Sequence, residues 1–301
     1  MSCLRELLLA SSLIRGSILF MKNIILSSSV VLCFFSTYVF AYVGAVSTGT
    51  AGSGRAAFDI TEAPVLNPAA IAYLKGYFFN TGYGVQGKGN SFNISLTDNL
   101  PDTILPSSLQ YWQQNQKNSF NQEFATQTIK FGVGNYVGKS FALGFGVNHQ
   151  IDSLNSTKHI QTNLTMGTLW AVSPQFTLAA VFDNIVEPDS SVPSFYRLKP
   201  GTSFGLAYNY RKFVRLRFDL ETPISSNSFS QPSIASAIET YWNRWIIIRL
   251  GLRKELSSKV DEYGGGLGFV GPKFALHYGY IQSPQDEKVS RHAIDLAVPI
   301  W

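Results

Sequence analysis

The clearest signal along the chain is strict alternation of apolar and polar residues. In Val214–Glu221 the apolar side chains Val214, Leu216, Phe218 and Leu220 are interleaved with Arg215, Arg217, Asp219 and Glu221. Phe141, Leu143, Phe145 and Val147 alternate with Ala142, Gly144, Gly146 and Asn148, and the same period recurs in Phe204–Tyr210 and Phe274–Tyr280. A period of two places successive side chains on opposite faces of a strand, so each run predicts a β-strand with one bulky apolar face. The other face carries mostly Gly, Ala, Ser and Asn with occasional charges, which is a poor match to the water-facing side of a soluble sandwich. Bulky side chains toward lipid and small polar ones toward a crowded lumen account for both faces at once. The pattern therefore predicts an all-β fold, a transmembrane antiparallel β-barrel.

The connections sharpen this. Short ones fall near Val137-Gly138, Ser173-Pro174, Arg211, Asn243 and Gly271-Pro272. Longer polar ones fall at Asp152–Lys158, Glu187–Lys199, Pro223–Pro232, Glu255–Asp261 and Ser283–Ser290. Short and long alternate, as in outer-membrane barrels with tight periplasmic turns and long external loops. Clear strand runs between 76–85 and 291–300 number thirteen, whereas a bacterial antiparallel barrel needs an even count. Following strand direction puts the gap between 98 and 122, where Ile104–Gln113 is a poor but usable run, and the prediction becomes 14 strands.

The chain starts differently. Met21-Lys22-Asn23, an apolar run from Ile24 to Phe35 and the triplet Val39-Phe40-Ala41 form a secretory signal peptide with its cleavage site. Met21 is thus read as the true start, residues 1–41 as an over-long start plus signal peptide, and Tyr42 as the first residue of the mature chain. Nothing later is apolar for 18 residues, so no membrane helix is expected. Residues 42–75 form an N-terminal segment of their own and 76–301 the barrel.

Composition agrees with a lipid-facing barrel. Of 301 residues 14% are charged, 45% hydrophobic and 14% aromatic, against about 25% charged in a soluble domain. A mean hydropathy of +0.06 is too low for a bundle of membrane helices. Cys3 and Cys33 both lie in the leader, which excludes a disulfide framework or a Cys-based metal site. The net charge of +5 shrinks once Arg5, Arg15, Lys22 and Glu6 leave with the leader. The remaining Lys and Arg form no patch, so no nucleic-acid partner is expected.

Residues 42–75 do not alternate. Gly49-Thr50-Ala51-Gly52-Ser53-Gly54-Arg55 is a small-residue loop, and Asn67-Pro68-Ala69-Ala70 breaks one short helical piece and starts the next. This Gly/Ala-rich opening with Asn67-Pro68-Ala69 just before the first strand resembles the FadL-like outer-membrane proteins. That family includes long-chain fatty acid transporters and the PorV-type barrels of secretion. Phe182-Asp183-Asn184-Ile185 ahead of a long loop, and Phe274–Tyr280 followed by Arg291-His292, carry the same resemblance. It implies a fourteen-stranded barrel in the bacterial cell outer membrane with a short helical plug, to which Asn67, Pro68 and Ala69 belong. The segment is also too apolar to hang free in the periplasm, and a lumen walled by Gly and Ala has room for it.

Enzymatic signals are weak. Gly201-Thr202-Ser203-Phe204-Gly205 fits G-x-S-x-G, but its Ser sits inside an alternating strand and not on a strand–turn–helix elbow. His149, His159, His277 and His292 lack metal-ligand spacing. The Gly-rich loop follows no strand and lacks a Lys-Ser or Lys-Thr pair. No catalytic residue, metal or cofactor is expected. The informative charges are those facing inward: Lys130, Asp183, Arg215, Arg217, Asp219, Glu221, Glu239, Arg249, Arg253 and Lys273. They form either an ion-pair lattice that holds the plug or a polar rim for an amphiphile's head group. For the second role Arg215, Arg217 and Arg249 are the candidate lumen ligand-binding residues, because guanidinium binds carboxylate bidentately. Two function classes follow. One is a plugged channel for passive uptake of hydrophobic, fatty-acid-like small molecules. The other is a PorV-like structural or shuttle barrel that binds secretion-system proteins. Either one has outer-membrane lipid around it.

Overall fold

A computed structural model describes residues 44–117, 123–154, 157–187, 192–193, 197–211, 213–224, 232–256, 261–284 and 286–300. The signal peptide, the start at Met21, the new terminus at Tyr42 and the final Trp301 lie outside the described residues. Three short helical pieces come first: α1 (Ala45–Gly49), α2 (Ala63–Leu66) and a 3-10 helix (Pro68–Tyr73). The strands follow as β1 (Gly76–Gln86), β2 (Gly89–Asn99), β3 (Ser107–Lys117), β4 (Glu123–Tyr136) and β5 (Phe141–Leu154). Next come β6 (Thr157–Ala171), β7 (Phe176–Asp183), β8 (Gly201–Tyr210), β9 (Val214–Pro223) and β10 (Ser233–Tyr241). Last are β11 (Ile246–Glu255), β12 (Asp261–Val270), β13 (Ala275–Ser283) and β14 (Asp286–Ile300).

Every strand pairs with its sequence neighbours, and β1 closes on β14 in a register running from Tyr77 opposite Ile300 to Gln86 opposite Arg291. The result is a closed antiparallel barrel of 14 strands, and closure removes the sheet edges that would otherwise be unsatisfied in lipid. The faces follow the alternation. On β9, Leu216 and Phe218 are 43% and 44% exposed, while Arg217 and Asp219 are 2% and 0% exposed. Trp170, Phe176, Tyr210, Phe213, Trp242, Phe269 and Phe274 are exposed at the short-turn end, forming the aromatic girdle of a membrane interface.

Three expectations are corrected. The strand sought at Ile104–Gln113 runs from Ser107 to Lys117, because Pro106 cannot donate to the sheet ladder and the residues before it form the turn. The polar stretches Asp152–Lys158 and Ser283–Ser290 are mostly strand, since β5 reaches Leu154, β6 starts at Thr157 and β14 starts at Asp286. Asp152 is polar because it faces the lumen, where Thr126 Oγ1 donates to it at 2.7 Å and Gln150 Nε2 at 2.9 Å. Finally, Lys273 does not point inward; it is exposed in the turn before β13.

Candidate functional site: the plugged lumen

Residues 44–74 fill the barrel interior. In α1 the first N–H groups are capped by carboxylates from outside the helix. Ala45 N donates to Asp295 Oδ2 at 2.5 Å, and Val46 N and Ser47 N donate to the two oxygens of Glu62 at 2.8 Å each. Such donors have no partner within a helix, and negative charge at this end is favoured. Burial, aided by the neighbouring Asp295, pushes the Glu62 carboxyl up to about 8. After α1 the chain reverses through Ala51 and Gly52, both at positive φ, and Gly52 N donates to Ser47 O at 2.8 Å.

The wall beside α1 is paved with glycine. A Cβ on Gly251 would fall 2.7 Å from Thr50 Cα, and one on Gly279 would fall 2.9 Å from Gly49 N. Backbone meets backbone here, and only glycine permits it. A second glycine floor lies under the 3-10 helix, where Gly134, Gly144 and Gly167 stand opposite one another on β4, β5 and β6. A Cβ on Gly134 would lie 3.3 Å from Ala69 Cα, and one on Gly167 would lie 2.9 Å from Pro68 Cδ.

Asn67 ties this end together. Its Oδ1 accepts from Ala69 N at 3.0 Å, and its Nδ2 donates to Arg55 O and to Thr168 O on β6, each at 3.0 Å. Pro68 sits at the first helical position, where its missing N–H costs nothing. Asn67, Pro68 and Ala69 are all buried. Asn99 Nδ2 donates to Ile71 O at 2.8 Å and Tyr73 OH to Ser140 O at 2.6 Å, fixing the segment's exit to β1.

The arginines selected from sequence converge on one carboxylate. Arg217 and Arg249 reach Glu239 Oε1 at 2.6 Å each, and Arg215 reaches Glu239 Oε2 at 3.3 Å. Arg217 also pairs with Asp59 of the plug at 2.6 Å. That guanidinium holds Asp59 below the usual carboxylate range against the opposing effect of burial, which is the largest influence on it. On the neighbouring layer Arg55 of the plug pairs with Asp219 at 3.2 Å and Glu221 at 2.7 Å, and Arg253 joins Glu221 at 2.8 Å. Gly54 N adds a donor to Asp219 Oδ2 at 2.8 Å. Buried charges are tolerated when paired and hydrogen-bonded in this way.

Sequence reasoning found the wall members of this lattice and missed its plug members Arg55, Asp59 and Glu62. Their signal was available: isolated charges in a segment otherwise built of small residues. Among the described residues no group of His, Cys, Asp and Glu is arranged to hold a metal ion.

The sequence matches no protein-family model, and no curated protein is similar to it by sequence. Solved structures do match the fold. A structure described as the CymD monoaromatic hydrocarbon channel is 10% identical, covers 86% of this chain and 97% of its own, and has a TM-score of 0.69. The Ralstonia pickettii toluene transporter TbuX is 11% identical over 86% of this chain and 98% of its own, at a TM-score of 0.68. A Pseudomonas aeruginosa FadL homologue is 10% identical over 85% and 97%, at a TM-score of 0.60. This chain has the fold of the FadL-like outer-membrane barrels, with a closed wall of 14 strands around an N-terminal segment.

Proposed function

We propose that the protein is an outer-membrane channel for passive uptake of hydrophobic small molecules, with residues 42–75 of the mature chain as its plug. The observation that carries this reading is the mode of filling. The segment sits on glycine floors and is secured by ion pairs, a non-covalent arrangement whose displacement breaks no covalent bond. The structural neighbours whose descriptions name hydrocarbon channels and toluene transport support the same class of cargo. In this reading the chain starts at Met21, and residues 21–41 deliver it to the periplasm and are removed. Arg215, Arg217 and Arg249 serve the plug through Glu239 and Asp59.

The test is deletion of residues 44–72 in cells with an intact lipopolysaccharide leaflet, the barrier to apolar solutes. A folded barrel with raised entry of labelled toluene and raised antibiotic sensitivity is expected. A folded deletion variant no more permeable than the full chain contradicts the plug role. Co-purification of secreted proteins, with no effect on toluene entry, would favour the docking alternative.

A further inference from the structure

The lipid-facing side of β11–β14 carries a depression that the protein's own packing does not require. Outward residues form cross-strand rows here. Leu250, Gly265, Tyr280 and His292 stand opposite one another, and the next row toward the short-turn end is Ile248, Leu267, Tyr278 and Ile294. Gly265 is the one member without a side chain, and around it lies an open groove of about 540 Å³. Its neighbours Gly264 and Gly266 face the lumen and are glycine because the plug presses on them. A Cβ on Gly264 would lie 2.7 Å from Thr48 O, and one on Gly266 would lie 3.3 Å from Gly49 Cα. Gly265 has no such reason. Its backbone is not left-handed, and a Cβ there would meet no atom within 4 Å. Glycine inside a strand weakens it and marks a place that something else approaches closely.

The rim of the groove carries polar groups among apolar neighbours. Tyr278 Oη and His292 Nδ1 are 2.8 Å apart, the His292 ring lies against Tyr280 with centroids 4.7 Å apart, and Tyr280 OH donates to Gln282 Oε1 at 2.8 Å. Tyr278 and His292 are both exposed on the outer face. A neutral imidazole has one N–H and a phenol one O–H, and the hydrogen bond between them uses only one of the two. One donor is therefore left over in either tautomer, His292 Nε2–H or Tyr278 O–H. Hydrocarbon holds no water to accept from it, so its acceptor comes from outside the barrel.

We propose that this groove binds one acyl chain of lipopolysaccharide, with the leftover donor on an oxygen of that chain, whatever the lumen carries. Position, size and chemistry choose the occupant. The groove lies between Phe274 of the short-turn girdle and the long-loop end of β13 at Ser283, closer to the latter, and long loops face the cell exterior. It therefore opens on the outer leaflet, where lipopolysaccharide resides. A membrane-spanning helix, about 10 Å across and about 30 Å long, is too large for it, whereas a single flexible chain fits. Finally, the Gly265 row is one outward row below Tyr263 and Gln282, inside the apolar band. The ester carbonyls of a glycerophospholipid stay at the interface, but the primary acyl chains of lipopolysaccharide carry a further oxygen on their third carbon, which reaches this depth.

The test is native mass spectrometry of the detergent-solubilised full chain, titrated with deep-rough lipopolysaccharide and separately with phosphatidylethanolamine. Saturable binding of one lipopolysaccharide is expected, about tenfold tighter than the phospholipid, the ratio that one well-made hydrogen bond supplies. Gly265→Leu fills the groove and abolishes saturable binding. The double variant Tyr278→Phe with His292→Phe removes both donors, keeps both rings and brings the two lipids to equal affinity. Phe145→Leu, outward on the opposite wall, leaves binding unchanged, and heat-modifiable gel mobility confirms that each variant is folded. Equal affinity for the two lipids in the unaltered protein overturns the site, as does failure of lipopolysaccharide to bind. So does saturable binding that survives Gly265→Leu, and so does a preference that survives the double variant.

Discussion

The two sides of the lumen wall hold the same plug by different physics. On β9, β10 and β11 the contacts are ionic: Arg55 to Asp219 and Glu221, and Asp59 to Arg217, with Glu239 gathering three arginines behind them. On β4, β5 and β6 the contacts are steric, with the backbone of Asn67–Ala69 lying on Gly134, Gly144 and Gly167. The ionic side resists displacement because separating a buried pair leaves an uncompensated charge. The glycine side gives up only close packing and a few hydrogen bonds from Asn67. A gap of about 20 Å³ and the unpartnered Gln110 Nε2 and Asn148 Oδ1 lie immediately above it. On the transport reading, the difference predicts that the plug stays anchored on the ionic side and parts from the wall along β4–β6.

The largest effect is expected from Glu239→Ala. It strips Arg215, Arg217 and Arg249 of their common partner, and breaking such a buried network costs about 3–5 kcal/mol. Asn148→Ala, at mid-wall on the other side, removes an amide without a partner and changes stability by less than about 1 kcal/mol. The temperature at which the heat-modifiable gel band is lost measures both. Equal shifts would erase the distinction between the two sides.

A smaller effect separates two glycines on one strand. Gly144→Val drives its side chain into the Pro68–Ala69 backbone, an overpacking that costs about 1–3 kcal/mol. It is expected to raise single-channel conductance by tilting the plug off the wall. Gly146→Ala meets only ordinary contacts and leaves conductance unchanged.

The smallest effect is on pH. Glu62 lies on the plug and not on a spanning strand, and burial beside Asp295 raises it from 4.5 to about 8, outweighing the donors Val46 N and Ser47 N. A raised carboxyl favours the docked plug fully below its ordinary pKa and loses that contribution as pH climbs through the docked value. Leak conductance should therefore rise progressively between about pH 4.5 and about pH 8 and level off above it, and Glu62→Gln should flatten the rise. A leak that falls with pH would reverse the sign and contradict the docking of Glu62 at α1.

Much of this architecture was legible in the residues. Strict alternation marked the strands and their faces, as at Leu216 and Arg217, because lipid and lumen select opposite side chains at every second position. Parity located a missing strand, although Pro106 moved its start to Ser107. Polar composition could not separate loop from lumen-facing strand at Asp152, since both environments choose the same residues. The arginines and their wall partner Glu239 were visible, but the plug partner Asp59 was not. Whether Arg217 faces a ligand or Asp59 depends on how a non-alternating segment folds across 150-odd positions of sequence, which no local pattern records.

The most direct test locks each side of the plug in turn. A Cβ on Gly132 would lie 3.8 Å from Pro68 Cβ, a separation suited to a disulfide, and in the wall beside α1 Gly49 lies against Gly266 of β12, with a Cβ on either one 3.1–3.3 Å from the other's Cα. Cysteine pairs at 68 and 132 and at 49 and 266 are introduced separately, and toluene entry into cells is followed with oxidant and then with reductant. The account predicts that the 68–132 lock abolishes entry and that reduction restores it, while the 49–266 lock leaves entry unchanged. Entry through a fully formed 68–132 disulfide, or its loss only in the 49–266 pair, would contradict the claim that the plug opens along β4–β6.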